Sequence, residues 1–333
     1  MADDVIFERN QQIGIITLNR PRALNALTLP MIQAIYQKLS AWQEDDKIAA
    51  VILRAMPGKA FCAGGDIRWL YEAGKANNPE QLDFFKHEYR LNHFIYHYRK
   101  PYIALMDGIT MGGGVGISLH GSHPVATERF SFAMPETSIG FFPDIGAGYL
   151  LSRCPNAIGI YLGLTGCRIN QDEAGSAGLI KHTISSEQID EIFDELRNTD
   201  LTHLAHHKID KILSHFKSSF DPDNSLKHKE YISHIFSANT LEAILSKLEA
   251  NSSAWHQETL AILQSKSPLS LKVTLAQIQK AAYLSLAECL EIDYCLASHF
   301  MQHPDFYEGV RALLIDKDKA PKWQLKTLSD VSN

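Results

Sequence analysis

Short apolar runs alternate with longer amphipathic stretches through the first part of the chain. Val5–Arg9 and Ile13–Leu18 are rich in β-branched residues and flank a polar turn, which predicts two strands. Leu29–Asp45 carries apolar positions at helical spacing and follows Thr28, a residue type suited to cap a helix N-terminus. Ile48–Arg54 and Tyr102–Met106 are short apolar runs and read as buried strands, the first bounded by charge and Pro57. Leu82–Tyr98 reads as a helix. Strand, strand and helix in succession predict a layered α/β fold.

Beyond about residue 185 the pattern becomes helical. Lys208–Phe216 and Leu241–Ala250 repeat apolar positions every three or four residues, and Ser267–Ala281 opens with Ser-Pro as helices do. Glycine marks the same change, since 19 of the 20 glycines lie at or before Gly178 and only Gly309 follows. Glycine serves tight turns and close backbone approach, so the chemistry is expected in the first part. By composition the chain divides into 1–184, the turn-rich part carrying the site, and 185–333, mainly helical.

Composition removes several functions. The 333 residues are 45% hydrophobic and 21% charged, with a net charge of −6, so no basic surplus points to nucleic acid or an anionic membrane. No apolar run is long enough to span a bilayer, and the acidic start MADDVIFERN is unlike a targeting peptide, which leads to a cytoplasmic expectation. Five cysteines, an odd number without a CxxC pair, suit reduced core thiols better than zinc or a disulfide framework. His93 and His97 share a helical face, and His203, His206 and His207 cluster, but HExxH is absent, so no metal is expected.

Three glycine-containing segments carry the candidate chemistry. Phe61–Arg68 (FCAGGDIR) follows the strand at Ile48–Arg54, and Asp107–Gly121 (DGITMGGGVGISLHG) follows Tyr102–Met106. A glycine triplet leading into an apolar helical stretch offers free N–H groups to a phosphate or to an oxyanion formed in reaction. GxxxxGK[ST], GxGxxG and GxSxG are all incomplete, which removes the nucleotide-loop, dinucleotide and serine-hydrolase readings. The third segment, Phe132–Gly148, sets Glu136 and Asp144 among apolar and proline-fixed neighbours. Carboxyls so placed serve as base, acid or nucleophile; the alternative is that Glu136 caps a turn and Asp144 starts a helix.

These segments, with Leu18–Ala26 (LNRPRALNA), resemble the crotonase (enoyl-CoA hydratase/isomerase) superfamily in order and spacing. The resemblance implies an α/β spiral of ββα units, here with a C-terminal helical extension, that binds acyl-CoA thioesters. It assigns the thioester oxygen to the N–H groups of Gly65 and Gly113. The family's hydratases use two glutamates. The second matches Glu136, but the position of the first is Gly116, which disfavours water addition.

Phe84–Asn92, Ile109–Ser118, Phe132–Thr137, Phe142–Gly146 and the tail Asp305–Trp323 resemble the 3-hydroxyisobutyryl-CoA hydrolase branch of that superfamily. That branch implies hydrolysis of a 3-hydroxyacyl-CoA in valine breakdown. It makes Glu136 and Asp144 catalytic and places Glu88, Gly113, Glu136 and Asp144 at the substrate. In this reading Glu136 attacks the carbonyl or activates water, while Asp144 and Glu88 attend the 3-hydroxyl. Coenzyme A is expected along Arg20, Arg22, Ala23, Leu24, Ala63, Asp66 and Ile67. It is part of the substrate, so no separate cofactor is implied. Superfamily members often form trimers, but the longer helical tail of this chain is also suited to replace or block that contact, so a homo-oligomer is one of two open outcomes. Another crotonase-fold reaction and a non-catalytic acyl-CoA binder are the competing functions.

Overall fold

The computed structural model describes residues 4–217 and 226–331. Its strands are β1 (Val5–Asn10), β2 (Ile13–Leu18), β3 (Ala50–Ala55), β4 (Ala60–Cys62), β5 (Tyr102–Met106), β6 (Ile109–Met111), β7 (His123–Thr127), β8 (Ser131–Ala133), β9 (Ile169–Asn170) and β10 (His182–Ile184). They form a six-stranded sheet, ordered β1-β2-β3-β5-β7-β10, and a four-stranded sheet, ordered β4-β6-β8-β9.

The predicted strand pair is an antiparallel hairpin, with Val5 opposite Leu18 and Asn10 opposite Ile13. From β2 onward the large sheet is parallel, Ile15 lying opposite Ile52 and Leu53 opposite Ala104. All six residues of β2 and all five of β5 and β7 are buried, as strands covered on both faces must be. The strand expected from Ile48 begins at Ala50. Ile48 donates its N–H to Asp45 O in the preceding turn, and Ala49 donates to Gln12 O.

The helix after β2 spans Leu29–Glu44, with Thr28 Oγ1 accepting from the Met31 N–H as its cap. Met31, Ile32, Ile35, Leu39 and Trp42 form its buried stripe. The helix expected at Leu82–Tyr98 runs two residues earlier, Glu80–Tyr96, because Asn78 Oδ1 accepts the Glu80 N–H and starts the first turn sooner.

The chain packs into two compact units that interleave in sequence. Among the described residues the first comprises 4–66, 86–132 and 169–217 and holds the large sheet. Ile13, Ile15, Ile52, Ile103, Leu105 and Val125 on one face of that sheet pack with Ile192, Leu196, Ile209, Ile212 and Leu213. These last five come from the helices Ile189–Asn198 and Ala205–His215, so part of the helical sequence beyond residue 184 belongs to the sheet's own core. The second unit comprises 67–85, 133–168 and 226–331. In it the helix Pro268–Ala281 lies against the helices Ala147–Leu151 and Ile158–Thr165. A Cβ added to Gly163 would stand 2.7 Å from Ile278 Cδ1, and one on Gly148 3.3 Å from Ala281 Cβ.

Candidate active site

In the first unit two glycine loops leave neighbouring parallel strands. β4 pairs with β6, Ala60 opposite Ile109, so Ala63–Asp66 and Gly112–Gly114 emerge side by side. Gly64 at φ +112 and Gly112 at φ 47 hold conformations that a side chain disfavours. A Cβ on Gly114 would fall 2.2 Å from Cys62 O, so the triplet must be bare for the short helix Gly113–Gly116 to sit on β4. The N–H groups of Gly65 and Gly113 donate to no acceptor among the described residues, as expected for a loop and for the first residue of a helix. A Cβ at Gly113 would lie 3.3 Å from Gly65 N and 2.3 Å from Glu88 Oε1. Both N–H groups and the Glu88 carboxylate therefore border one small volume. Glu88, on the helix Glu80–Tyr96, is 2% exposed.

One turn further along that helix stands Asn92, a residue the sequence reasoning missed. It is wholly buried, and neither amide atom has a hydrogen-bond partner among the described residues. A Cβ on Gly116 would meet Asn92 Nδ2 at 2.7 Å. Its sequence signals were its place at the end of the Phe84–Asn92 segment and its i, i+4 spacing from Glu88.

The loop expected to receive coenzyme A joins the first glycine loop by backbone hydrogen bonds: Ala63 N to Leu24 O, Leu27 N to Gly64 O, and Asp66 N to Leu27 O. Arg22 and Ala23 are exposed in the single turn Pro21–Ala23, and Leu24 is exposed beside them at φ 52. Asp66 is half-buried, and half-buried Ile67 opens the helix Ile67–Lys75. Arg20 is committed to the scaffold, reaching Asp66 at 3.2 Å, Asp4 at 3.5 Å and Ala26 O at 2.6 Å. Asn25, wholly buried, ties this loop to β4 through Ala60 O at 3.0 Å.

The carboxylates lie in the second unit. Glu136 opens the one-turn helix Glu136–Ile139, closed by Gly140 at φ 68; a side chain on Gly140 would strike Asp305 O at 2.2 Å. Thr137 Oγ1 anchors the turn to Leu164 O at 3.2 Å. Glu136 is 7% exposed, and its Oε2 has no hydrogen-bond partner among the described residues. Burial, and then the charge of Asp144, hold its carboxyl well above the usual range. A carboxylate so desolvated is a stronger base and nucleophile than one in water.

Asp144, 6% exposed, accepts the Ala147 N–H through its carbonyl and precedes the helix Ala147–Leu151. The expectations that Glu136 caps a turn and Asp144 starts a helix are not met: Pro135 holds the cap position of the turn that Glu136 opens, and the helix begins at Ala147 behind Gly146, while both carboxyl residues stay buried. Ile145 at φ 58 and Gly146 at φ 75 bend the loop through left-handed conformations, costly for a β-branched residue. Asp293 Oδ2 accepts the Gly146 N–H at 2.8 Å. Gln277 Nε2 donates to Asp293 Oδ1 at 2.6 Å and to Pro143 O at 3.1 Å. Burial, and to a lesser degree Asp144, raise the Asp293 carboxyl as well. Asp293 and Gln277 left no signal near the motif.

Among the described residues no cluster of three or more His, Cys, Asp or Glu is placed to hold a metal. The rings of His93 and His97 lie 4.3 Å apart and tilted by 39°, and His97 Nδ1 lies 3.0 Å from the His93 carbonyl. His206 stacks on His123. All five cysteines are free; Cys62 and Cys289 are buried, whereas Cys295 is exposed and not a core thiol. No described helix is long and apolar enough to cross a membrane.

Residues 13–333 match the enoyl-CoA hydratase/isomerase family. The mitochondrial 3-hydroxyisobutyryl-CoA hydrolase of Homo sapiens is 44% identical over 336 residues, 99% of this chain and 86% of the relative. That of Danio rerio is 45% identical over 336 residues, 99% of this chain and 87% of its own. A carnitinyl-CoA dehydratase from Mycobacterium thermoresistibile superposes with a TM-score of 0.90 at 34% identity, covering 99% of this chain and 94% of that one. An enoyl-CoA hydratase from Rhodobacter sphaeroides gives 0.88 at 35%, covering 99% and 95%. The α/β crotonase fold with its helical C-terminal region is thus found as expected, and the chain belongs to the enoyl-CoA hydratase/isomerase family.

Proposed function

We propose that this chain hydrolyses 3-hydroxyisobutyryl-CoA to 3-hydroxyisobutyrate and coenzyme A. The observation that carries the choice of reaction is at Gly116. The position that bears the first glutamate of the hydratases has no side chain here, and the neutral amide of Asn92 stands 2.7 Å from where its Cβ would be. Proton transfer from two sides, which hydration needs, is thereby lost, while Glu136 is retained. The whole-length identity to hydrolases that act on 3-hydroxyisobutyryl-CoA supports the substrate.

In this reading Gly65 and Gly113 donate to the thioester oxygen as it gains charge, each donor contributing about 10²–10³ in rate. Glu136 attacks the carbonyl carbon, or takes a proton from the water that does. Either way the C–S bond breaks, coenzyme A leaves as the thiol, and one water is consumed. Asp144 and Glu88 attend the 3-hydroxyl. Exposed Arg22 and Ala23, with Leu24, Ala63, Asp66 and Ile67, receive the coenzyme. No metal or redox group is required, and five free thiols suit a reducing compartment such as the cytosol.

Thiol release from 3-hydroxyisobutyryl-CoA, measured beside hydration of crotonyl-CoA, tests the reading. Release without hydration is expected. Hydration without release would assign the chain to the hydratases, and binding with neither would make it an acyl-CoA carrier.

A further inference from the structure

Asn92 stands apart among the buried polar side chains of the first unit. It is wholly buried, and both its amide donor and its amide acceptor lack partners among the described residues. Leaving such a pair unsatisfied costs more than most single contacts return, so a buried amide in this state is usually matched to something that arrives. Its surroundings indicate what arrives. Glu88 and Asn92 are one turn apart on the helix Glu80–Tyr96, and Gly113 and Gly116 are one turn apart on the short helix after β6. The two pairs meet in register: Glu88 Oε1 is 2.3 Å from the Cβ position of Gly113, and Asn92 Nδ2 is 2.7 Å from that of Gly116. The same strip of backbone that begins with the oxyanion donor of Gly113 therefore ends under Asn92.

We propose that Asn92 contacts the substrate, its carboxamide joining Glu88, one turn away on the same helix, at the hydroxyl carried by the acyl chain. This rests on the thioesterase reading and names a specificity determinant within it. A carboxamide both donates and accepts, as a hydroxyl does, whereas an anionic substrate group would use only the NH2. Unlike the carboxylate that hydratases carry at the Gly116 position, an amide neither gains nor loses a proton. It grips the hydroxyl without helping to expel it as water. The bare Gly116 leaves the room that the amide fills.

The test uses Asn92→Leu, which keeps the volume and removes both polar atoms, and Asn92→Ser, which keeps a smaller donor and acceptor. Thiol release is measured from 3-hydroxyisobutyryl-CoA and from isobutyryl-CoA, which lacks the hydroxyl. For Asn92→Leu, kcat/KM is expected to fall roughly 10- to 100-fold on the hydroxylated substrate and to change little on the other, with Asn92→Ser in between. Equal losses on both substrates, or no loss, would make Asn92 a structural residue and overturn the proposal. Calorimetric binding of thioether analogues of the two substrates separates this from the reading beneath it. If the wild type releases no thiol, the hydrolase reading falls; the proposal still stands when the hydroxyl improves binding and Asn92→Leu erases that gain, and falls when the gain persists or is absent. If Asn92→Leu fails to fold, Asn92→Ser is read by the same ratios.

Discussion

Burial and the nearby charge of Asp144 both favour the protonated form of Glu136, and the two causes separate by mutation. A base or nucleophile must be ionised, so activity is expected to rise with pH along a limb lying above the ordinary carboxyl value of 4.5. Asp144→Asn removes the negative neighbour, which makes ionisation of Glu136 easier and moves that limb to lower pH, whatever happens to the maximal rate. A limb unmoved in Asp144→Asn would detach Asp144 from Glu136. Glu136→Gln is expected to abolish turnover while leaving acyl-CoA affinity nearly unchanged, and near-normal hydrolysis by it would remove Glu136 from the chemistry. The same substitution carries a stability signature. A carboxyl raised in the folded state contributes its full stability below its unfolded value, and that contribution is lost as pH rises through the folded value. Thermal unfolding is therefore expected to find Glu136→Gln at least as stable as wild type at about pH 8, the gap closing as pH falls to about 4. A gap that widened on acidification would contradict the raised carboxyl.

Elements far apart in sequence hold the loop of Asp144 in shape. Gly146 and Asp293 are bonded across 147 residues, and Pro143 and Gln277 across 134, so the loop that carries Asp144 is fastened by two helices of the C-terminal region. This support of the Asp144 loop was illegible in the sequence, because neither side chain lies near the motif it serves. The two glycine loops were legible because glycine is itself the signal where backbone must pass Cys62 O or adopt a positive φ. The bounds of β2 and β5 were legible to the residue, the first as a run rich in β-branched residues and the second as an apolar run. β4, β6, β8 and β9, two or three residues long, are too short to show a period. Asp293 gives a test at this scale. Asp293→Ala strips an acceptor from Gly146 N and from Gln277 Nε2 at once, with an expected loss of about 2–4 kcal/mol in unfolding free energy. Asp293→Asn keeps one acceptor oxygen and should lose less. With Asp144 serving the chemistry as proposed, the loosened loop should lower kcat more than it raises KM. Wild-type melting temperature and kcat in Asp293→Ala would show that the clamp contributes nothing.

At the scale of the whole molecule, sequence order and packing order differ. Glycine content divides the chain near residue 184, yet the segment bearing Glu136 and Asp144 packs with 226–331, while 169–217 packs with the sheet. Residues that fold as a unit exchange their amide hydrogens as a unit, so the interleaving has a measurable consequence. In hydrogen exchange on the full chain under mild denaturant, peptides from 133–168 are expected to open together with those from 254–300. β2, β3 and β5 should open at a different denaturant concentration. Ile278→Ala sharpens the test. Ile278 is 1% exposed, and its Cδ1 abuts Gly163. Its truncation should cost about 2–5 kcal/mol. That loss is expected to appear as faster exchange across 133–168, including the Glu136 turn, with β2 and β3 left as protected as before. Protection of 133–168 that followed β2 and β3 instead would mean that the glycine-rich sequence folds as one piece, with the C-terminal helices merely attached to it.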